Sequence, residues 1–316
     1  MRIGLFVPTF SRNYNKVSAS IWIRVFQMVE FYEAEGCSVY INNPLLKYDV
    51  AIYYRGVDYK AINIIRYLKK ISRLVLWDTC VNYFENNYAN NQYQIDNARK
   101  ISSIVDAIIV TTGPLYKVAK KYNNNVLQMP ECINFNKFNK VKKRINFDNT
   151  IFGWSGASHK AYPLNAYGNS IDGNITLITD DNIYKHSLNF RYSHRKWNYK
   201  EFLNDILSTD VCLAPRNFDN EYDLMHSSFK ILVFSVCGIP IITNKLPSYV
   251  ELASYYDGIY FLEDYKNDFI STFDALKNDF IDNKNILSIS RVKEEFSCEK
   301  SAERLLNYVR DELMSK

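Results

Sequence analysis

Short, β-rich apolar runs alternate with amphipathic stretches along the first 130 residues. Residues 3–8 (Ile-Gly-Leu-Phe-Val-Pro) form an apolar run that reads as a strand, followed by a polar loop over 11–18. Residues 19–35 place Ile23, Phe26 and Val29 on one face at helical spacing, and Gly36 closes that helix. Strands are expected at 38–42, 50–54, 74–77, 107–111 and 126–129, and helices at 61–70, 97–105 and 115–122. Apolar runs without polar alternation, separated by helices, describe a parallel sheet covered on both faces.

The pattern lapses over 130–149, where Asn-rich residues and the basic run Lys142-Lys143-Arg144 read as a linker. A second alternation follows. Its strands are expected at 150–154, 175–179, 211–214, 239–243 and 258–262, and its helices at 199–207, 229–236 and 269–276. An amphipathic helix over about 301–314 closes the chain. The expected organisation is an α/β protein of two doubly wound parallel-sheet domains, 1–145 and 146–300, with residues 301–316 packing back on the first. Two such sheets face a central cleft, and open α/β sheets bind ligands at their carboxyl ends.

Composition narrows the picture modestly. The 316 residues suit two domains of ordinary size, and 47% hydrophobic with 23% charged residues is ordinary globular composition. No apolar run reaches the roughly 20 residues that span a bilayer, and the N-terminus has no small-residue cleavage site, so a cytoplasmic protein is expected. The six cysteines are scattered and lack interleaved histidines, which excludes a zinc pattern and suits buried thiols. A net charge of +5 is too small to call for nucleic acid. Basic clusters at 66–73 and 117–121 read as solvated helix faces, or as attraction to the inner face of a membrane carrying a lipid-linked acceptor.

Five segments offer chemistry. His226-Ser227-Ser228-Phe229-Lys230 opens a helix that ends at Gly238 before the Ile-Pro-Ile-Ile-Thr-Asn strand. Ser227 or Ser228 at the helix start leaves backbone N–H groups and the positive dipole end pointing outward, which suits a diphosphate. Gly153-Trp154-Ser155-Gly156 ends the first strand of the second half, where small residues permit close approach of a ligand or form a plain turn. It lacks the three-glycine dinucleotide fingerprint, which argues against a nicotinamide dehydrogenase. Asp78, after the strand ending at Trp77, could act as a base or orient a hydroxyl, or else cap the next turn. Arg24 could fork onto a phosphate or lie on the surface. Arg216 follows Pro215 at the end of a strand and precedes the Ser227–Ser228 helix, with Glu221 and Asp223 in the intervening loop.

In this order, these segments resemble the bacterial GT-B glycosyltransferases related to the retaining family 4 (group 1) enzymes. Ser20 to Arg24 resembles the family's early Ser-x-x-Arg helix loosely. Residues 78–84 resemble an Asp-x-x-Asp-Asn-Tyr-Phe stretch with Val81 at the second Asp, and Thr112 with Leu115 resembles a Thr-x-x-Leu turn. Gly153-Trp154-Ser155-Gly156 resembles the Gly-Trp-x-Gly opening of the donor domain. Ser227-Ser228-Phe229-Lys230 through Gly238-Ile239-Pro240, then Tyr249 and Glu251, follow the family order.

The resemblance implies two Rossmann-like domains, an N-terminal acceptor domain and a C-terminal donor domain for a nucleotide sugar, UDP- or GDP-linked. It implies no cofactor and no obligatory metal: Ser227, Ser228, Lys230 and Arg216 would offset the leaving diphosphate charge. On this resemblance Asp78, Arg216 and Lys230 are the catalytic candidates, and Gly153, Trp154, Ser155, His226, Ser227, Ser228 and Glu221 line the donor site. Two positions depart from the family. Val233 stands where a ribose-binding glutamate is usual, leaving Glu221 or Asp223 to substitute, and His226 replaces a frequent lysine. The implied activity is retaining transfer of a hexose or N-acetylhexosamine to a cell-surface glycan such as capsule, O-antigen or a lipid-linked saccharide. Polyol-phosphate transfer, nucleotide-sugar epimerisation and nucleotide-sugar binding without turnover are the rival readings.

Overall fold

The computed structural model describes residues 1–8, 19–85, 91–216, 221–264, 267–280 and 285–315, with backbone alone at 280 and 285–287. The loop expected at 11–18 lies outside the described residues. The described chain packs as two compact units, one of residues 1–132, 219–227 and 296–316, the other of residues 133–218 and 228–295. The packing thus divides at 132/133, where the sequence pattern suggests 145/146.

The first unit holds β1 (Arg2–Phe6), β2 (Ser38–Ile41), β3 (Tyr48–Tyr54), β4 (Ser72–Thr79), β5 (Ala107–Val110) and β6 (Val126–Gln128). They form one parallel sheet in the order β2-β1-β3-β4-β5-β6. Successive side chains point to opposite faces. Ile52, Tyr54, Leu74 and Leu76 therefore enter one core, and Ala51, Tyr53, Val75 and Trp77 the other. The helices Tyr59–Ile71, Gln92–Ile104 and Gly113–Ala119 cover the second face.

The C-terminal helix Cys298–Met314 closes the first face. It buries Cys298, Ser301, Ala302, Leu305, Leu306 and Val309, a stripe at helical spacing, and the Ser297 side chain caps it by accepting from the Lys300 N–H. Cys298 Sγ lies 3.4 Å from Cys132 Sγ, and all six cysteines are free, five of them buried.

The expected single helix over 19–35 is broken into Ala19–Arg24, a short 3-10 turn Phe26–Met28 and Val29–Ala34. Val25 leaves helical geometry at φ −121° and ψ −67°. Gln27 Nε2 donates 2.8 Å to Ile23 O, the carbonyl that a continuous helix would give to the Gln27 backbone N–H.

The second unit holds β7 (Phe152–Ser155), β8 (Ile175–Thr179), β9 (Ser193–Lys196), β10 (Val211–Ala214), β11 (Ile241–Asn244) and β12 (Ile259–Leu262). Its parallel order is β12-β11-β10-β7-β8-β9. Strand β9 escaped the sequence pattern because its residues, Ser-His-Arg-Lys, are polar and mostly exposed, as befits a sheet edge. The helices Pro247–Ala253 and Asn285–Phe296 were likewise not expected.

Candidate functional site

In the second sheet β7 pairs with β8 on one side and with β10 on the other, so the order reverses at β7. Connections leave such a point in opposite directions and open a crevice at the carboxyl ends of the strands. Ser155 ends β7 and Gly156 follows it; Pro215 and Arg216 follow β10; Asn244 ends β11. The helix Phe229–Val236 leads from the β10 side into β11.

Lys230, in the first turn of that helix, is buried, and its Nζ lies 4.1 Å from the centre of the Trp154 ring. A cation over the indole face is attracted by the ring's quadrupole, which fixes the side chain's direction. A β-carbon at Gly156, whose φ is +156°, would stand 3.2 Å from Lys230 Cε and Nζ, so the glycine leaves room for the ammonium. Gly153 plays a different part, since a β-carbon there would come within 2.6 Å of Thr209 Oγ1 and 2.9 Å of Phe234 Cε1. The absence of a side chain there seats β7 against the helix.

Arg216 is also buried. Its backbone N–H donates 2.7 Å to Asn244 Oδ1, and its Nε donates 3.5 Å to the Tyr249 hydroxyl. Two cationic side chains thus belong to the carboxyl end of this sheet. Burial pushes the Cys212 thiol up, with Lys230 acting against it. Beside them Ser158 donates from both N and Oγ to Asp180, at 3.0 and 2.9 Å. Partial burial works against the Asp180 charge, but these bonds and those from Asn182 hold its carboxyl down at about 2.

The residues His226 to Lys230, contiguous in sequence, divide between the two units after Ser227. His226 Nδ1 is 2.9 Å from Tyr222 O, and its ring packs edge-on to Tyr222. The Ser227 hydroxyl donates to Glu131, so it is not the helix cap. Ser228 occupies the cap position at φ −78° and ψ 1° and makes no side-chain cap bond, because the capping geometry needs an extended ψ. Glu221 is exposed in the short helix Glu221–Leu224, and Val233 is fully buried.

In the first unit Asp78 lies within β4 and not after it. Arg24 grips it with a fork, Nη2 to Oδ1 at 2.9 Å and Nε to Oδ2 at 3.1 Å, and both side chains are buried. Arg24 Nη1 also donates to Met129 O at 2.9 Å. Burial raises the Asp78 carboxyl, and Arg24 recovers only part of that; for Arg24 burial opposes the charge, but Asp78 and Glu131 outweigh it. The carboxylate of Asp78 and the guanidinium of Arg24 are therefore spent on each other. Glu131 is buried too; burial pushes its carboxyl up, against the Ser227 bond and Arg24.

Asn244, Asp180 and Glu131 were not picked out from the sequence, and Tyr249 was picked out only through the family order. Of the first three, only Asn244 carried a signal, as the polar residue closing the run Ile-Pro-Ile-Ile-Thr-Asn. Among the described residues no cluster of three or more His, Cys, Asp or Glu is arranged to hold a metal ion, and no helix is long and apolar enough to cross a membrane.

No protein-family model and no curated protein matches this chain. Solved structures do. A sucrose-phosphate synthase from Thermosynechococcus elongatus superposes with a TM-score of 0.72 at 12% identity over 100% of both chains. An α-glucosyltransferase in complex with UDP gives 0.67 at 11% identity, over 98% of this chain and 100% of that one. TarM gives 0.61 at 10% identity and covers 82% of this chain, which spans 54% of TarM. Two six-stranded parallel sheets with helices on their faces, shared with these proteins, make this the two-domain α/β fold of the GT-B glycosyltransferases.

Proposed function

We propose that the protein is a glycosyltransferase that binds a nucleotide sugar, UDP- or GDP-linked, at the carboxyl end of the second sheet and an acceptor at the first unit. The observation that carries this reading is the buried Lys230 ammonium held over Trp154 beside Gly156, at the point where the strand order reverses. In transfer, the acceptor oxygen forms a bond to the anomeric carbon while the bond from that carbon to the diphosphate oxygen breaks. The acceptor proton and the nucleoside diphosphate are released. Charge grows on the diphosphate, and prepositioned cations stabilise it with little reorganisation. Lys230 and Arg216 are suited to that role without a metal, and the Phe229–Val236 helix adds its positive end. The complex of an α-glucosyltransferase with UDP supports the choice of nucleotide by likeness of fold.

The finer reading is retaining transfer of a hexose or N-acetylhexosamine to a cell-surface glycan, at the cytoplasmic face of the membrane. Gly153, Trp154, Ser155, Ser228 and Lys230 form its donor side; His226, Ser227 and Glu221 pack with the first unit and are weaker members. Melting curves against UDP, GDP, CMP and dTDP compounds test the donor: one nucleotide should raise Tm by mass action. No shift with any of them would remove the donor site. A nucleotide-release assay with the corresponding sugars then separates turnover from binding alone.

A further inference from the structure

The first sheet also reverses order, between β1 and β3, which pair from Ile3 with Val50 to Phe6 with Tyr53. Arg55 follows β3 directly and stands at that carboxyl end. Its φ is +69°, a left-handed conformation uncommon in residues with a β-carbon, and its N–H is tied to Asp78 O at 2.8 Å. The side chain is half-buried and held from two sides. Nε donates 3.0 Å to the Tyr83 hydroxyl, and Nη1 donates 3.1 Å to Ser20 Oγ. Both partners are uncharged. Among the described residues no carboxylate makes an ion pair with Arg55, whereas Arg24 spends its fork on Asp78.

A guanidinium carries five N–H donors in a rigid plane, and two hydroxyls occupy only part of it. The half-buried charge attracts the Glu131 carboxylate, but among the described residues it makes no ion pair with it, so the fork itself holds no carboxylate. Burial opposes the Arg55 charge, the hydrogen bond to the Tyr83 hydroxyl favours it, and a guanidinium stays protonated in either case. What is built here is a positioned, permanently charged fork at a ligand-binding strand end.

We propose that Arg55 is an oxyanion-binding residue of the first unit, which takes the phosphate or carboxylate group of an anionic acceptor by a forked pair of hydrogen bonds. This assignment rests on the reading that the acceptor occupies the first unit. Such bonds are geometrically selective, and a neutral sugar cannot replace the anion.

The test is calorimetric titration of the full chain with glucose 1-phosphate, glucuronate and glucose, in the wild type, Lys230→Ala, Arg55→Asn and Tyr83→Phe. Lys230→Ala weakens anion binding by the second unit, and asparagine tolerates the left-handed backbone while discarding the charge. At least one of the two anions should bind the wild type and Lys230→Ala alike. Arg55→Asn should weaken that binding tenfold or more with Tm retained, and Tyr83→Phe should weaken it several-fold by loosening the fork. Whichever anion binds names the source, phosphate ester or carboxylate; glucose should bind none of the proteins. Equal anion affinity in Arg55→Asn and wild type, or no anion binding by Lys230→Ala, overturns the proposal. UDP is titrated in parallel: its failure to bind the wild type would count against the donor site alone, since Arg55 has no part in that site.

Discussion

The Lys230 ammonium lies 4.1 Å from the centre of the Trp154 ring, and Gly156 leaves the space it occupies. A long, flexible side chain is thereby given one direction before any ligand arrives, so less rotamer entropy is lost when it meets an anion. Lys230→Ala should lower UDP affinity by about 10- to 100-fold, the 1.5–3 kcal/mol typical of a hydrogen bond to a charged group, and leave uridine affinity nearly unchanged. Titration of both ligands checks this; an equal loss for uridine would move Lys230 away from the phosphates.

Gly153 and Gly156 are three residues apart and should fail in different ways. Alanine at 153 drives a β-carbon into Thr209 Oγ1 at 2.6 Å and Phe234 Cε1 at 2.9 Å, inside a packed core. Overpacking of this kind costs about 1–3 kcal/mol, so Gly153→Ala should lower Tm. Alanine at 156 meets Lys230 Cε and Nζ and Trp154 Cη2 at 3.2 Å and must hold a φ of +156° that side chains rarely adopt. Gly156→Ala should therefore weaken UDP binding as well as lower Tm. Melting and nucleotide titration of the two variants separate the effects, and the reverse pattern would exchange the roles assigned to the two glycines.

What the sequence displayed and what it hid follow from the range of each interaction. Residues 50–54 and the strand Val211–Ala214 are read easily because a strand covered on both faces is apolar at successive positions. Strand Ser193–Lys196 is invisible by the same rule, as a polar edge. Lys230 and Arg216 stand out as charges at the ends of apolar segments. The partner of Asp78 does not, because Arg24 is 54 residues away and reaches it only through the sheet's topology. Ser227 and Ser228 look equivalent in a line of text, yet one donates to Glu131, 96 residues earlier, and the other begins a helix.

Asp180 gives a pH-dependent prediction. Its folded value of about 2 lies below the ordinary 3.8, so the folded state favours the charged carboxylate. That stabilisation is fully present above pH 4 and fades as pH falls from about 4 toward 2. Ser158→Ala removes one of the bonds that hold the value down. The variant should therefore lose less on acidification from pH 5 to pH 2.5, having less of this stabilisation to lose, and should start slightly lower at pH 7. Melting curves across that range decide it. Parallel curves for the two proteins would mean that Ser158 does not set the Asp180 value.

Asp78 had two readings, a base for the acceptor hydroxyl or a structural group, and its forked pair with the buried Arg24 favours the second. Removing one partner of a buried pair strands the other charge, at a cost of about 3–5 kcal/mol. Removing both together should cost much less than the sum, since neither charge is then left buried alone. The expectation is that Asp78→Ala and Arg24→Met each unfold the protein at markedly lower denaturant, and that the double variant recovers a large part of the loss. Turnover should follow the fraction folded. A folded Asp78→Asn protein with normal stability and no turnover would instead restore the catalytic reading, because a base can be lost without disturbing the fold whereas half of a buried ion pair cannot.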